Sequence, residues 1–240
     1  MSEASVSVCI ATYNGSLYIK EQIDSILKQL DFNDEIIISD DCSTDNTVAI
    51  IYSFNDNRIR FFQNNYSKGY TNNFINAIEK CNNELIFLSD QDDVWMENKV
   101  ELCKHHFANG YKMIISDAKV VDKNLITINE SFFHARNSKA GFFNNLIKTG
   151  YLGCTIAFKK SILIKLFPFP KNRKLIPHDL WIGMYCMMFY KVKWLKTPLI
   201  YYRRHSSNVS DGGFSVSNLT FKDKIKLRAL LIMNLILRIL

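Results

Sequence analysis

Hydrophobic residues dominate Val6-Ser-Val-Cys-Ile-Ala-Thr12, and Tyr13-Asn14-Gly15 breaks the run, which predicts a buried strand ending in a turn. Apolar positions then recur at Leu17, Ile19, Ile23, Ile26 and Leu27, the spacing of one helix face. The same order repeats: a strand at 35–39, a polar loop, a helix at 44–54, a strand at 58–63, a helix around 71–80 and a strand at 84–89. Alternating strands and helices predict a mixed, mainly parallel central sheet flanked by helices on both faces. In such sheets ligands bind beyond the carboxyl ends of the strands. Three polar clusters fall there: Thr12-Tyr13-Asn14, Asp40-Asp41-Cys42-Ser43 and Ser89-Asp90-Gln91-Asp92-Asp93.

Beyond Asp93 the pattern predicts a helix at 94–108, strands near 112–116 and 118–121, and a polar, mobile loop at 129–139. A loop entering a strand follows at 150–158, then a helix at 161–166 that Pro168 and Pro170 terminate. A helix from about Asp179 to Tyr190, a strand at 192–195 and the basic Tyr201-Tyr-Arg-Arg-His205 come next. No internal repeat interrupts this order.

Composition narrows the picture. A chain of 240 residues that is 48% hydrophobic can bury one sizeable core, so one domain is expected. The six cysteines are scattered without a CxxC pair, which predicts neither a disulfide framework nor a zinc site and fits a reducing cytoplasm. The polar first residues run directly into a strand, which is not the pattern of a secretory signal. A net charge of +7 suits a phosphorylated substrate or an anionic lipid surface, whereas the carboxylate clusters argue against nucleic acid. Lys222, Lys224, Lys226 and Arg228 precede an apolar run shorter than the roughly 20 residues that a membrane span needs. Residues 221–240 are therefore read as a basic, apolar helix that lies on an anionic membrane, on the core or on a second subunit.

The chemistry concentrates at Asp90 and Asp92. Residues two apart on an extended chain point the same way, so both carboxylates can face one Mg²⁺ or Mn²⁺ with positions left for phosphate oxygens. An acidic helix cap is the bland alternative for this motif, and likewise for Asp40 to Thr47. The acidic run follows a buried strand, however, and a second acidic pair stands at an earlier strand end. A carboxylate there can accept the N3–H of a uracil or thymine ring, and Tyr13 offers a face for stacking.

Ser7-Val-Cys-Ile-Ala-Thr-Tyr-Asn-Gly15, Glu35-Ile-Ile-Ile-Ser-Asp-Asp-Cys-Ser-Thr-Asp45 and Ser89-Asp-Gln-Asp-Asp-Val-Trp95 together resemble the N-terminal signatures of family 2 glycosyltransferases of the GT-A fold, over at least residues 6–100. The resemblance implies a Rossmann-like nucleotide-binding half at 1–95, an acceptor-side half at 96–218 and the C-terminal helix at 219–240. It implies that Asp41 contacts the base with Asp40, Thr12 and Asn14 nearby. Asn73 resembles a helix-start residue beside the nucleotide, and Asp90 and Asp92 would hold the diphosphate through the metal. Cys42 stands where many members carry Gly, which predicts a less tight loop.

Gly150-Tyr-Leu-Gly-Cys-Thr155, His178-Asp-Leu-Trp181 and Tyr202-Arg-Arg-His-Ser-Ser-Asn-Val-Ser210 resemble a bacterial rhamnosyltransferase-like subgroup. By that resemblance Asp179 is the general base of an inverting reaction, His205 completes the metal site, and Arg203 or Arg204 faces the diphosphate. Trp95 and Trp181 are read as sugar-facing or core residues. The implied reaction moves a sugar, L-rhamnose from dTDP-rhamnose or a hexose from a UDP-sugar, onto a glycan or lipid-linked acceptor of a bacterial surface polysaccharide, at the cytoplasmic face of the membrane. A nucleotidyltransferase and a non-catalytic sugar-nucleotide-binding or membrane-scaffold protein are the rivals.

Overall fold

A computed structural model of the chain describes residues 4–206, 208 and 220–238. The expected boundary at 218/219 and the last two residues of the expected C-terminal helix lie outside the described residues.

The first half alternates as its pattern predicts: β1 (Val6–Thr12), α1 (Ile19–Leu27), β2 (Glu35–Asp40), α2 (Thr47–Ser53), β3 (Ile59–Gln63), α3 (Tyr70–Glu79) and β4 (Leu85–Asp90). The remainder comprises β5 (Val94–Trp95), α4 (Lys99–Ala108), β6 (Met113–Asp122), β7 (Thr127–Asn129), α5 (Phe132–Arg136), α6 (Phe142–Ile147), β8 (Ile156–Lys159), α7 (Leu163–Leu166), α8 (His178–Phe189), β9 (Val192–Arg204) and α9 (Phe221–Ile236).

The strands form one sheet in the order β3-β2-β1-β4-β8-β6-β9-β5, with β7 on β6. The β3-β2-β1-β4 portion is parallel. From there the sheet is mixed: β8 runs antiparallel to both β4 and β6, and only β6 and β9 pair in parallel. Alternate strand residues feed two cores. Val8, Ile10, Ile36, Ile38, Leu85 and Phe87 pack toward α1, α2 and α4, whereas Cys9, Ile37, Ile86 and Leu88 pack toward α3, α8 and α9. Both faces of the strands are thus covered, which explains their nearly unbroken apolar runs.

Five stretches differ from expectation. Val94 and Trp95 do not begin a helix; they pair with Tyr201 and Ile200 of β9, and α4 starts only after Asn98 turns the chain at φ 64°. Trp95 N–H is taken by Ser25 Oγ at 3.0 Å and Met96 N–H by Leu199 O at 3.0 Å, bonds that tie the segment to α1 and to β9. The strands expected at 112–116 and 118–121 are the single β6, and β9 continues to Arg204 through irregular register.

The stretch expected to be a mobile loop is structured. Ser131 caps α5, Phe132 is buried, and the buried Asp117 carboxylate accepts Phe133 N–H at 2.9 Å and the Ser131 hydroxyl. α2 begins three residues late, because Asp45 accepts Thr47 N–H at 3.0 Å and Ser16 N–H at 3.1 Å, which holds the preceding loop in its own turn. All six cysteines are free, five of them buried.

Candidate active site

Register alone assembles the floor of the site. Pairing places Asp40 beside Thr12 and Asp90 beside Ala11, so the ends of β2, β1 and β4 arrive level. Loops then lock across them. Gln91 accepts Tyr13 N–H at 2.9 Å and donates to Tyr13 O at 3.1 Å. Asn14 N–H goes to Ser43 Oγ at 2.9 Å, and Asn14 Oδ1 accepts Thr44 N–H at 2.8 Å. A side chain at Gly15 would meet Gln91 Oε1 at 2.3 Å, so it would displace the Gln91 amide that bridges to Tyr13.

The two adjacent aspartates of the second loop do different work. Asp40, 2% exposed, accepts the Thr12 hydroxyl at 2.8 Å, Ser43 N–H at 2.7 Å and Ser43 O–H at 2.6 Å, and so holds the turn. Asp41 accepts Asn64 Nδ2 at 2.8 Å and Gly69 N–H at 2.7 Å, one bond per oxygen. A carboxylate has about four acceptor positions, which leaves Asp41 capacity for a further donor. Cys42 takes φ 64°, the left-handed conformation that favours Gly, and the bonds of Asp40 keep the loop tight all the same. Asn73, at the start of α3, donates to Thr12 O at 3.0 Å while its buried Oδ1 has no partner. Tyr13 is half exposed, with Lys68 Nζ 5.7 Å from its ring centre.

The acidic end of β4 is crowded with like charge. Burial, then Asp92, then Asp179 push the Asp90 carboxyl up to about 7. Asp93 is buried, and its carboxyl is held well above the usual range by the same burial and by Asp92 and Asp90. Asp92 Oδ2 lies 2.9 Å from His205 Nε2 and accepts Asn208 Nδ2 at 3.1 Å. His205 in turn stacks on Tyr18, ring centres 4.7 Å apart. A concentration of carboxylates whose ionisation is mutually opposed is a setting that a divalent cation relieves, so the donor set of Asp90, Asp92 and His205 fits a hard metal ion.

Cys154 offers its sulfur within 4.8 Å of the Asp90 and Asp93 oxygens. Burial and those two carboxylates push its thiol well up. A protonated thiol is a poor ligand, and the place of Cys154 behind the carboxylates comes from the fold, not from any local sequence pattern.

Asp179 stands in the first turn of α8 with one buried oxygen unpartnered. Gly153 lies against it: a side chain there would meet Asp179 Cβ at 3.1 Å and Oδ2 at 3.3 Å. Glycine in Gly150-Tyr-Leu-Gly153 thus makes room for the acid, a relation invisible without the fold. His178, 3% exposed, stacks on Phe74 at 4.2 Å, and both ring nitrogens are buried without partners. Burial, partly opposed by Asp179, lowers it to about 4, so it stays neutral at ordinary pH.

The two adjacent arginines have different surroundings. The Arg203 guanidinium is 3% exposed and donates to Asp92 O at 2.8 Å, Lys123 O at 2.9 Å and the Glu21 carboxylate, while covering the Tyr18 ring. Its N–H donates to Asp93 Oδ1 at 3.0 Å. Arg203 therefore braces the acidic turn from behind. Arg204 contacts the Tyr202 hydroxyl at 3.2 Å. Trp95 and Trp181 are both core residues, at 4% and 0% exposure, so neither lines a sugar site.

A parallel α/β half carrying acidic loops at its strand ends, joined through a mixed sheet to an acid-bearing helix, defines the GT-A class of nucleotide-sugar transferase. The chain belongs to glycosyl transferase family 2, whose sequence profile matches residues 7–197. It is similar to the dTDP-rhamnosyl transferase RfbG of Shigella flexneri, 30% identical over 234 residues that cover 90% of this chain and 77% of that protein. It is also similar to the UDP-Glc:alpha-D-GlcNAc-diphosphoundecaprenol beta-1,3-glucosyltransferase WfgD of Escherichia coli, 29% identical over 77% of this chain and 71% of that one. Among solved structures, S. aureus TarS in complex with UDP-GlcNAc shares the fold with a TM-score of 0.72 at 21% identity, over 96% of this chain and 67% of that one.

Proposed function

We propose that the chain inverts the anomeric centre of a pyrimidine nucleoside diphosphate sugar as it transfers the sugar to a polyprenyl-diphosphate-linked glycan. The carrying observation is the convergence of three groups at the carboxyl ends of the parallel strands: Asp41 and Tyr13 after β2 and β1, the Asp90–Asp92 pair after β4, and Asp179 of α8, which packs against Gly153 and helps to raise the Asp90 carboxyl. Asp41 accepts the N3–H of the base, Tyr13 stacks on it, and Asn73, Thr12 and Asn14 shape the pocket. Asp90, Asp92 and His205 would hold Mn²⁺ or Mg²⁺, which would offset the charge of the departing diphosphate. Asp179 takes the proton of the attacking acceptor hydroxyl, a role that typically contributes about 10²- to 10⁴-fold in rate.

dTDP-L-rhamnose and UDP-hexoses are the donors to test first, since similar proteins carry those names. Lipid-linked acceptors fit the membrane-facing role of α9, whose basic residues Lys222, Lys224 and Lys226 stand beside apolar ones. The test is nucleoside diphosphate release from a panel of dTDP- and UDP-sugars with Mn²⁺ and a polyprenyl-diphosphate sugar. Acceptor-dependent release that chelator abolishes supports the reading. Pyrophosphate formation would instead indicate nucleotidyl transfer, and nucleotide binding without any turnover would indicate a scaffold.

A further inference from the structure

α9 has two apolar faces. Leu231 and Leu235 are buried in the core beside Trp181 and Leu166, with Leu227 and Leu230 packed around them. That face satisfies the expectation that the helix rests on the core. The face next to it is also apolar, and it is open to solvent. Phe221, Ile225, Ile232 and Ile236 recur at i, i+4, i+11 and i+15 and are 76%, 51%, 39% and 48% exposed. Helical spacing places these four on one stripe.

α6 extends the stripe. Arg228 clamps the two helices together, donating from Nε to Leu146 O at 3.0 Å and from Nη2 to Ile147 O at 2.7 Å. On the wheel of α9 Arg228 falls between the buried face and the exposed stripe, so α6 borders the stripe. It presents Phe143 and Ile147, 78% and 71% exposed. Large exposed apolar side chains scattered singly are ordinary, but six on two clamped helices form a patch of the kind that marks an interaction surface.

The charges around the patch identify its partner. Lys222 and Lys226 of α9 and Lys148 after α6 are exposed, while Asp223, the one acidic residue of the two helices, is drawn into the capping box with Thr220. Two copies of such a face would bring lysine against lysine. An anionic bilayer would neutralise the lysines and accept the apolar side chains at the depth of its headgroups.

We infer that α6 and α9 together form a docking face for an anionic lipid bilayer, with Phe143 and Ile147 inserting beside the α9 stripe. This deepens the lipid-linked-acceptor reading by naming the surface and the lipid charge, and it extends docking beyond the C-terminal helix. It also ties docking to the site. Asn145 of α6 accepts Gly150 N–H at 2.9 Å, and the chain from there reaches Gly153, against Asp179. A docked α6 thus holds the acceptor-side loop next to the membrane surface.

The test is sedimentation of the purified full chain with vesicles of phosphatidylcholine alone or mixed with phosphatidylglycerol, without donor or acceptor, so that its outcome is independent of sugar transfer. Wild type is expected to bind the anionic vesicles about tenfold more tightly or better, with the preference lost at high salt. Phe143→Ser with Ile147→Ser, and separately Ile225→Ser with Ile232→Ser, should each release the protein while leaving nucleotide binding and circular dichroism unchanged. Lys222→Gln with Lys226→Gln should erase the lipid preference. Undiminished binding by the α6 pair would overturn the joint face. So would absence of wild-type binding at low salt, or a dimer in sedimentation equilibrium that either serine pair dissociates.

Discussion

Asp40 and Asp41 sit side by side in one acidic loop, and their hydrogen bonds separate them. Asp40 spends its oxygens on Thr12 and Ser43, so Asp40→Ala strands a buried hydroxyl and a loop N–H; it should lower stability by about 1–3 kcal/mol in denaturant unfolding. Asp41→Ala should instead show its larger effect on nucleotide affinity by calorimetry, and equal effects of the two substitutions on affinity would erase the distinction. His178 supplies a pH test. Its pKa falls from the ordinary 6.5 to about 4 in the fold, so between those values the unfolded chain binds the proton and the folded chain does not. Stability is full above about 6.5 and is lost as pH falls toward 4, by on the order of 3 kcal/mol from this group. His178→Phe should flatten that part of the profile in thermal melts at stepped pH; an unchanged slope would mean that the imidazole titrates freely. The turn-holding role of Asp40 was not legible in sequence, where it stood beside Asp41 as part of one pocket, because an aspartate that holds a turn and one that meets a base occupy the same kind of loop. Arg203 shows the same limit: its place next to Arg204 and His205 suggested phosphate, and only the fold brings Glu21 and the Asp92 carbonyl to its guanidinium.

The elements of the first half were legible because each strand is buried on both faces and each helix carries one apolar stripe. Val94 and Trp95 were misread since their apolar character suits a helix start as well as a strand, and the decision came from Ser25 and Leu199, distant in sequence. The 129–139 stretch looked mobile because Asp117, which orders it, lies in another element. α8 depends on a glycine in a similar way. A side chain at Gly183 would meet the Tyr151 hydroxyl at 2.0 Å and Cζ at 2.6 Å, and Tyr151 is itself buried. Gly183→Ala should therefore destabilise the protein by about 1–3 kcal/mol through overpacking, although alanine favours an exposed helix by about 1 kcal/mol. Thermal unfolding decides between these effects, and a raised melting temperature would show that Tyr151 can move aside.

At the scale of the whole molecule, the sheet joins two kinds of edge. Its parallel half ends in acidic loops that sequence motifs revealed, and its mixed half brings β9 and α8 back toward them by pairings that no local pattern encodes. The motif near Asp90 was readable, but its neighbours Cys154, Gly153 and Arg203 needed the fold. Family membership and the shared fold agree with that architecture, and the division of labour within the site rests on its geometry. In the proposed reaction one acid, Asp179, takes the acceptor proton beside a separately held donor. The most direct measurement compares wild type with Asp179→Asn, following donor affinity by calorimetry and acceptor-dependent sugar transfer by product analysis on the donor that wild type uses. The account predicts unchanged donor affinity with transfer reduced by about 10²-fold or more. Full transfer by the asparagine variant would contradict it.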